Sequence, residues 1–463
     1  MSRPFHLNAF DMTCVAHQSP GLWRHPDDQS HRYRDLDYWT SLARLLERGR
    51  FTSLFIADVV GVYDVFRGGP GPAIAEAAQI PVNDPLLAVS AMAAVTEHLG
   101  ITVTASSTYA QPYTFARTFG TLDHLTKGRI GWNIVTSYLE SAARNLGLPT
   151  QVRHDQRYEV AEEFMEVVYR LWEASWDDDA VVRDRERGVY ADPAKVRPIG
   201  HHGPHFDVPG VFLGEPSPQR TPALFQAGAS PRGRRFAARH AEGIFVTGTR
   251  PEVLAPGVAA TRRLAEEEGR DPRSLKFFTL VTVITGADDE EAHAKHRDYL
   301  RYASHEGALT LYGGWSGLDL STYDPDEPLA YVETEAVRSA VSAFSDADPD
   351  RVWTPREIAR WVSIGGMGPV IVGGPATVAD ELERWVDEAD VDGFNLAYAI
   401  TPGTFVDVVD HLVPELQRRG LVRTEYAGTT LREHLHGVPR LRADHPGAAH
   451  RPAPVGAAEG SPA

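Results

Sequence analysis

The chain has 463 residues, 42% apolar and 24% charged, with nine tryptophans and a formal net charge of −17. An acidic balance without a Lys/Arg stripe excludes a protein that gains its affinity from nucleic-acid phosphates or docks on anionic membranes. The one cysteine, Cys14, excludes an internal disulfide and a multi-cysteine zinc site.

In chain order, HLNAFDM (6–12) predicts a strand and DLDYWTSLARLLERGR (35–50) an amphipathic helix. FTSLFIADVV (51–60) follows as a buried strand. DPLLAVSAMAAVTEHLG (84–100) has an Asp-Pro start and a Gly stop, so it predicts a helix. Next come the strand ITVTASS (101–107), the helix YTFARTFGTLDHLTKG (113–128) and the strand RIGWNIVTS (129–137). The rhythm resumes with strands PALFQAG (222–228), GIFVTG (243–248) and LKFFTLVTVITG (275–286), each followed by a helical pattern. TVADELERWVDEA (377–389), GFNLAYAI (393–400) and FVDVVDHLVPELQRR (405–419) read as helix, strand and helix.

Eight strands, each followed by a helix or an insertion, predict an α/β fold, a (β/α)8 TIM barrel, with an open doubly wound sheet as the alternative. Residues 1–437 form one domain in this reading. Insertions at about 138–221 and 303–376 exceed ordinary connections and are expected to act as caps or lids. The Pro/Ala/Gly-rich segment 438–463 is expected to be a disordered tail. No stretch reaches the ~18 uninterrupted apolar residues of a membrane span. The opening MSRPFHLNAF lacks a signal peptide's apolar core. A soluble, cytoplasmic protein is the expectation.

Barrels of this kind work at the C-terminal ends of their strands. There the sequence places Met12, Cys14 and His17, then Asp58, then Thr104, Ser106 and Ser107, then Asn133, Thr136 and Ser137, and finally Gly228-Ala229-Ser230 at a helix start. Amides, hydroxyls and one carboxylate suit a neutral, heteroatom-rich ring. The small residues and free N–H groups of QAGASPRGRRF (226–236) suit a phosphate, although an ordinary helix cap would read the same. His154 and Tyr158 share a helix face at i,i+4 spacing, which capping and packing alone would explain. Cys14 as a nucleophile needs a base; His17 is nearest in sequence, and a buried thiol is the plainer reading. HHGPHF (201–206) has three histidines but no carboxylate or cysteine at ligand spacing, so no metal site is expected. No G-x-G-x-x-G follows a strand and no Walker loop is present, which argues against built-in NAD or ATP binding.

The segments FIADVVGVYD (55–64), TLDHLTKGRIGWNIVTS (121–137), HDQRYEVAEEF (154–164), EPSPQRTPALFQAGASPRGRRFAARHAE (215–242) and VDGFNL (391–396) together resemble the flavin-dependent monooxygenases of the bacterial luciferase-like superfamily. The likeness runs from about residue 5 to 435. It is strongest to the group of nitrilotriacetate, dibenzothiophene-sulfone and long-chain alkane monooxygenases. NAFDMTCVAHQSPGLWRHP (8–26) and AAQIPVNDPL (77–86) point to the alkane type.

The resemblance implies a barrel that binds reduced FMN (FMNH2) from a separate NAD(P)H:flavin reductase and uses O2 through a flavin C4a-(hydro)peroxide. It implies a homodimer or homotetramer and a small, largely apolar substrate, either alkane-like or aromatic and sulfur-containing. Flavin contacts would fall on Asp58, Thr104, Asn133, Ser137, His154, Tyr158 and Ser230. Tyr158 and Ser230 would serve the phosphate; Asp58, Thr104 and Asn133 would serve the ring edge. Cys14, His17, Tyr63 and Gln79 would be the catalytic, substrate-side residues, with His17 or Tyr63 donating a proton. Tyr138 and Leu311 stand where the alkane type has histidines. Arg24 and Arg67 are the few cations expected near the pocket, which favours apolar substrates over polyanions. The same scaffold also serves F420-dependent oxidoreductases and non-catalytic flavin-binding proteins.

Overall fold

Eight parallel strands close on themselves: β1 (His6–Met12), β2 (Ser53–Ala57), β3 (Gly100–Ser106), β4 (Ile130–Val135), β5 (Ala223–Gln226), β6 (Gly243–Val246), β7 (Lys276–Ile284) and β8 (Gly393–Ala397). Each pairs with the next in sequence. The ring shuts where His6 to Ala9 of β1 align with Gly393 to Leu396 of β8. The (β/α)8 barrel is therefore observed, and an open sheet is not. The computed structural model describes residues 3–228, 230–329, 336, 340, 341, 344 and 351–452.

Side chains alternate across each strand. The outward set, including Leu7, Leu54, Val103, Trp132, Leu224 and Leu396, packs under the helices in one large core. Those helices are α1 (Leu36–Arg48), α2 (Leu86–Ala94), α3 (Pro112–Leu125), α4 (His154–Tyr169), α5 (Pro231–His240), α6 (Pro251–Glu267) and α7 (Pro375–Ala389). A final helical run covers 403–418. The inward set is aromatic at mid-height. Phe10 stacks on Phe55 at 4.7 Å, Phe55 on Phe245 at 4.1 Å and Phe225 on Phe245 at 5.2 Å.

A C-terminal helix, Leu431–His436, plugs the lower end of the barrel with Leu431 and Leu435. Its Arg432 is fully buried and meets Glu242 at 2.7 Å, which draws that buried carboxyl down to about 2. A charge so deep is tolerable only when paired.

Three expectations need correction. Helix α4 lies within the first insertion, yet it packs beside α3 and α5 as the fourth barrel helix. The rest of that insertion beyond it runs along the outer flank, where Trp176 donates to the Phe212 carbonyl and Tyr113 to that of Val211. Only its first stretch reaches the barrel mouth, through the Ser141 hydroxyl on the Val62 carbonyl.

The tail is not disordered from residue 438. His445 is 2% exposed, pairs with the His240 carbonyl at 2.8 Å and packs on Tyr169, while Arg451 meets buried Glu173 at 2.7 Å. Composition missed this because the anchors are single residues spaced through a Pro/Gly background. Residues 453–463 lie outside the described residues.

Candidate active site

Gly131 fixes which face of β4 looks inward: a Cβ there would meet Thr102, Leu431 and Phe225 inside the barrel. Two residues on, Asn133 therefore also faces inward. Its amide donates to the Thr104 hydroxyl at 2.9 Å, and its Oδ1 is buried with no hydrogen-bond partner among the described residues. The strand buries this amide against the Thr104 hydroxyl of the neighbouring strand, above a layer of phenylalanines. Just beyond, Ser137 adopts φ 54 and donates to Ser106 at 2.9 Å.

The residues expected to serve a phosphate meet in a cradle over the start of α5. Ser230 caps that helix by accepting from the Gly233 N–H at 3.0 Å. The Tyr158 hydroxyl lies near Ser230, Thr136 and Gln226, and burial pushes its pKa up. A Cβ on Gly233 would come within 2.7 Å of that hydroxyl, so glycine keeps the cradle open. His154 packs against Tyr158 with tilted rings, centroids 5.3 Å apart, and pairs with Asp155 at 2.7 Å. Ala229 lies outside the described residues.

Asp58 follows β2 half-buried. Burial, with Asp84 nearby, raises its carboxyl to about 7. The expected flavin-side residues thus fall into two groups: Thr104, Asn133 and Ser137 with Asp58 at the rim, and His154, Tyr158 and Ser230 around the cradle.

The expected substrate-side residues are joined by a directed hydrogen-bond chain. The Gln79 amide donates to the His17 carbonyl at 2.9 Å, so its Oε1 faces Tyr63, which donates to it at 2.8 Å. Trp315, a donor only, gives its N–H to the Tyr63 oxygen at 3.0 Å. Tyr63 has one proton, already committed, so Tyr138 must donate across their 2.9 Å contact. Tyr63 is therefore saturated and has no proton to spare, which leaves His17 of the two expected donors. His17 is 1% exposed, packs on the edge of Phe10 at 4.4 Å, and both its ring nitrogens lack partners among the described residues. Burial lowers its pKa to about 3, so it is a neutral imidazole.

Burial, with Asp11 and Asp58 nearby, pushes the pKa of the Cys14 thiol well up, which disfavours a thiolate there. Leu311 is fully buried in the helix His305–Ser316, which covers this chain from the second insertion. Arg24 is spent on the Gly21 and Tyr302 carbonyls, and Arg67 on Glu306. His201 and His202 are held by Glu163 and Asp207 in a small hairpin, and among the described residues no group of His, Cys, Asp or Glu could hold a metal ion.

Two residues escaped the sequence reading. Trp315 lay in a Gly/aromatic-rich stretch whose register could not be read. Tyr398 follows β8 directly, and listing the rim beyond β5 would have found it.

A family model described as luciferase-like monooxygenase matches residues 14–392. The chain belongs to the luciferase-like monooxygenase family. It is 55% identical to a dimethyl-sulfide monooxygenase from Hyphomicrobium sulfonivorans, over 98% of this chain and 95% of that one. It is 49% identical to a long-chain alkane monooxygenase from Geobacillus thermodenitrificans (strain NG80-2), over 97% and 99%. A crystal structure of the riboflavin lyase RcaE, with modified FMN and substrate riboflavin, superposes with a TM-score of 0.91 at 40% identity, covering 97% of this chain and all of that one. The protein is thus an oxidoreductase, a luciferase-like monooxygenase. Among the described residues, no helix is long and apolar enough to cross a membrane.

Proposed function

We propose that this luciferase-like monooxygenase uses reduced FMN, supplied by a separate NAD(P)H:flavin reductase, to insert one atom of O2 into a small, neutral, largely apolar substrate, with a short organic sulfide favoured. The observation that carries the cofactor reading is the pairing of two features about one barrel mouth. One is the buried, partnerless Asn133 Oδ1, suited to a ring N–H; the other is the glycine-opened cradle of Tyr158 and Ser230, suited to a phosphate. The residues fit FMN. Thr104, Asn133, Ser137 and Asp58 would hold its ring; Tyr158, Ser230 and His154 would hold its phosphate end.

When bound, reduced flavin supplies the electrons and activates O2. The protein's residues do the rest. Helix His305–Ser316 and the start of the first insertion shield the mouth from water. The Trp315–Tyr63–Gln79 chain fixes the His17 backbone. His17 holds a neutral imidazole against the phenylalanine layer, able to give a proton from one nitrogen and accept at the other.

The substrate reading rests on the walls. Tyr63, Leu139, Leu311 and Trp315 present apolar surface, Arg67 is neutralised by Glu306, and Arg24 is tied to the Gly21 and Tyr302 carbonyls, so the walls offer a polyanion little. The two close relatives act on a sulfide and on alkanes by name, and Tyr138 with Leu311 gives this chain a bulkier, less basic wall than histidines would.

Anaerobic titration with reduced FMN, reduced riboflavin and reduced F420 tests the cofactor. Binding of FMN at least roughly tenfold tighter than riboflavin, about 1.4 kcal/mol, and no saturable binding of F420 are expected. Preference for F420 would favour the oxidoreductase alternative and overturn this reading.

A further inference from the structure

Behind His17, between β1 and β8 on the outer side of the barrel wall, lies a second polar cluster that the mouth does not use. At its centre Asp11, 1% exposed, accepts the Met12 N–H at 2.7 Å and the Tyr38 hydroxyl at 3.3 Å. Tyr38 bonds onward to Thr401 at 2.6 Å, and the Thr401 N–H reaches Asp28 at 3.0 Å. Among the described residues no cation pairs with Asp11. The contrast with Glu242 is direct: its buried arginine draws it to about 2, whereas burial, with Asp28 adding to it, raises Asp11 to about 7. Asp11 therefore still carries a proton for much of the time near neutrality.

Tyr398, 3% exposed, neighbours both this carboxyl and His17. The Ser19 hydroxyl anchors its backbone carbonyl at 2.9 Å. Its hydroxyl faces Asp11 closely enough to favour the charged carboxylate, yet falls short of a formed hydrogen bond. Its ring centroid is 6.3 Å from that of His17. Among the described residues, the buried Tyr398 hydroxyl and both nitrogens of the neighbouring His17 ring lack hydrogen-bond partners. The other titratable groups around Asp11 are Tyr38 on α1, Asp28 in the loop before it, and Cys14 beyond β1.

A neutral imidazole in a dry pocket is a poor acid. It can release one proton only while taking another at its opposite nitrogen. We infer that Asp11 is the proton store of the active site and that Tyr398 passes its proton to His17. In balance, the Asp11 O–H proton moves to the Tyr398 oxygen, the Tyr398 proton to one His17 nitrogen, and the proton on the other His17 nitrogen to the oxygen leaving the reaction. Asp11 is left as a carboxylate and His17 neutral in its other tautomer. Solvent then returns a proton to Asp11, and the tautomer resets. Asp11 and Tyr398 touch neither substrate nor cofactor; they are positioning residues acting through His17, and the inference rests on the oxygenase reading above.

The test is 15N NMR of histidine-labelled protein without flavin, in the wild type, Tyr398→Phe, Asp11→Asn and, for assignment, His17→Asn. The His17 ring signals should show a pH-dependent step near neutrality that both Tyr398→Phe and Asp11→Asn abolish. In turnover, the wild-type rate should fall as pH rises through about 7, where Asp11 loses its proton. Tyr398→Phe should lower kcat roughly tenfold with KM nearly unchanged, and Asp11→Asn should flatten the profile. Tyr398→Phe keeps the ring that packs the cluster. Should Asp11→Asn not fold, the infrared carbonyl band of wild-type Asp11, present below about pH 7 and lost above it, reads the stored proton directly. His17 signals and a pH profile unchanged in Tyr398→Phe, or no such carbonyl band, overturn the inference. The NMR and infrared readings need no turnover, so an inactive enzyme would count against the oxygenase reading alone.

Discussion

Ser230 and Gly233 make the cradle by different means, so their loss should read differently. Ser230→Ala removes an oxygen that both caps α5 and faces the cradle. It should weaken reduced FMN about tenfold while leaving riboflavin unchanged, and cost about 1 kcal/mol of stability through the lost cap. Gly233→Ala forces a Cβ to within 2.7 Å of the Tyr158 hydroxyl and should weaken FMN at least as much without the capping loss. Parallel flavin titrations and thermal melts separate the two effects. Equal weakening of FMN and riboflavin by Ser230→Ala would place the phosphate elsewhere.

Asp11 gives a pH signature in stability as well. Its folded carboxyl holds a proton that the unfolded chain has already released between about pH 4 and 7. The folded state binds more protons across that window, so stability falls as pH rises through it and stays lower above it. Asp11→Asn removes that contribution. The Tm of the variant minus that of the wild type should therefore increase between about pH 5 and pH 8; a pH-independent difference would show that Asp11 titrates normally.

Among the elements, the covering helix His305–Ser316 matters most. It seats on Tyr63 because Gly314 has no Cβ; one there would lie 2.3 Å from the ring. Gly314→Val should lift the helix, break the Trp315–Tyr63 bond and admit water. Product yield per NAD(P)H should drop several-fold and hydrogen peroxide rise to match, with flavin affinity little changed, since the cradle lies over α5. Unchanged coupling would mean that the helix is packing alone. The sequence could not supply this. Apolar periodicity marks a helix's buried face, but Gly313, Gly314, Trp315 and Leu311 are apolar all round, because the helix packs on several sides.

At the scale of the whole molecule, the barrel was legible because its strands, buried on both faces, read as near-continuous apolar runs set off by Gly and Asp-Pro signals. Asn133 was legible as a rim amide from its place in β4, whereas Tyr158 had an ordinary structural explanation until the family motifs singled it out. The bottom of the barrel was not legible. Arg432 reads as a surface charge on a short amphipathic helix, and only its meeting with Glu242, far away in sequence, shows it buried. Arg432→Met leaves Glu242 buried without its cation and should cost about 3–5 kcal/mol, seen as a lower denaturation midpoint. The paired change to Met and Gln should recover much of that loss, and failure to recover would show that the plug depends on the arginine's carbonyl contacts instead.

The most direct measurement of the central claim is isotope incorporation. The protein, a flavin reductase, NAD(P)H and FMN are supplied with dimethyl sulfide or a short alkane under 18O2, and the products are analysed by mass spectrometry. One 18O atom per turnover in the product, dependent on FMN and abolished in Asn133→Leu, is the predicted result. Substrate turnover without 18O in the product, or flavin oxidation that substrate never alters, would contradict it.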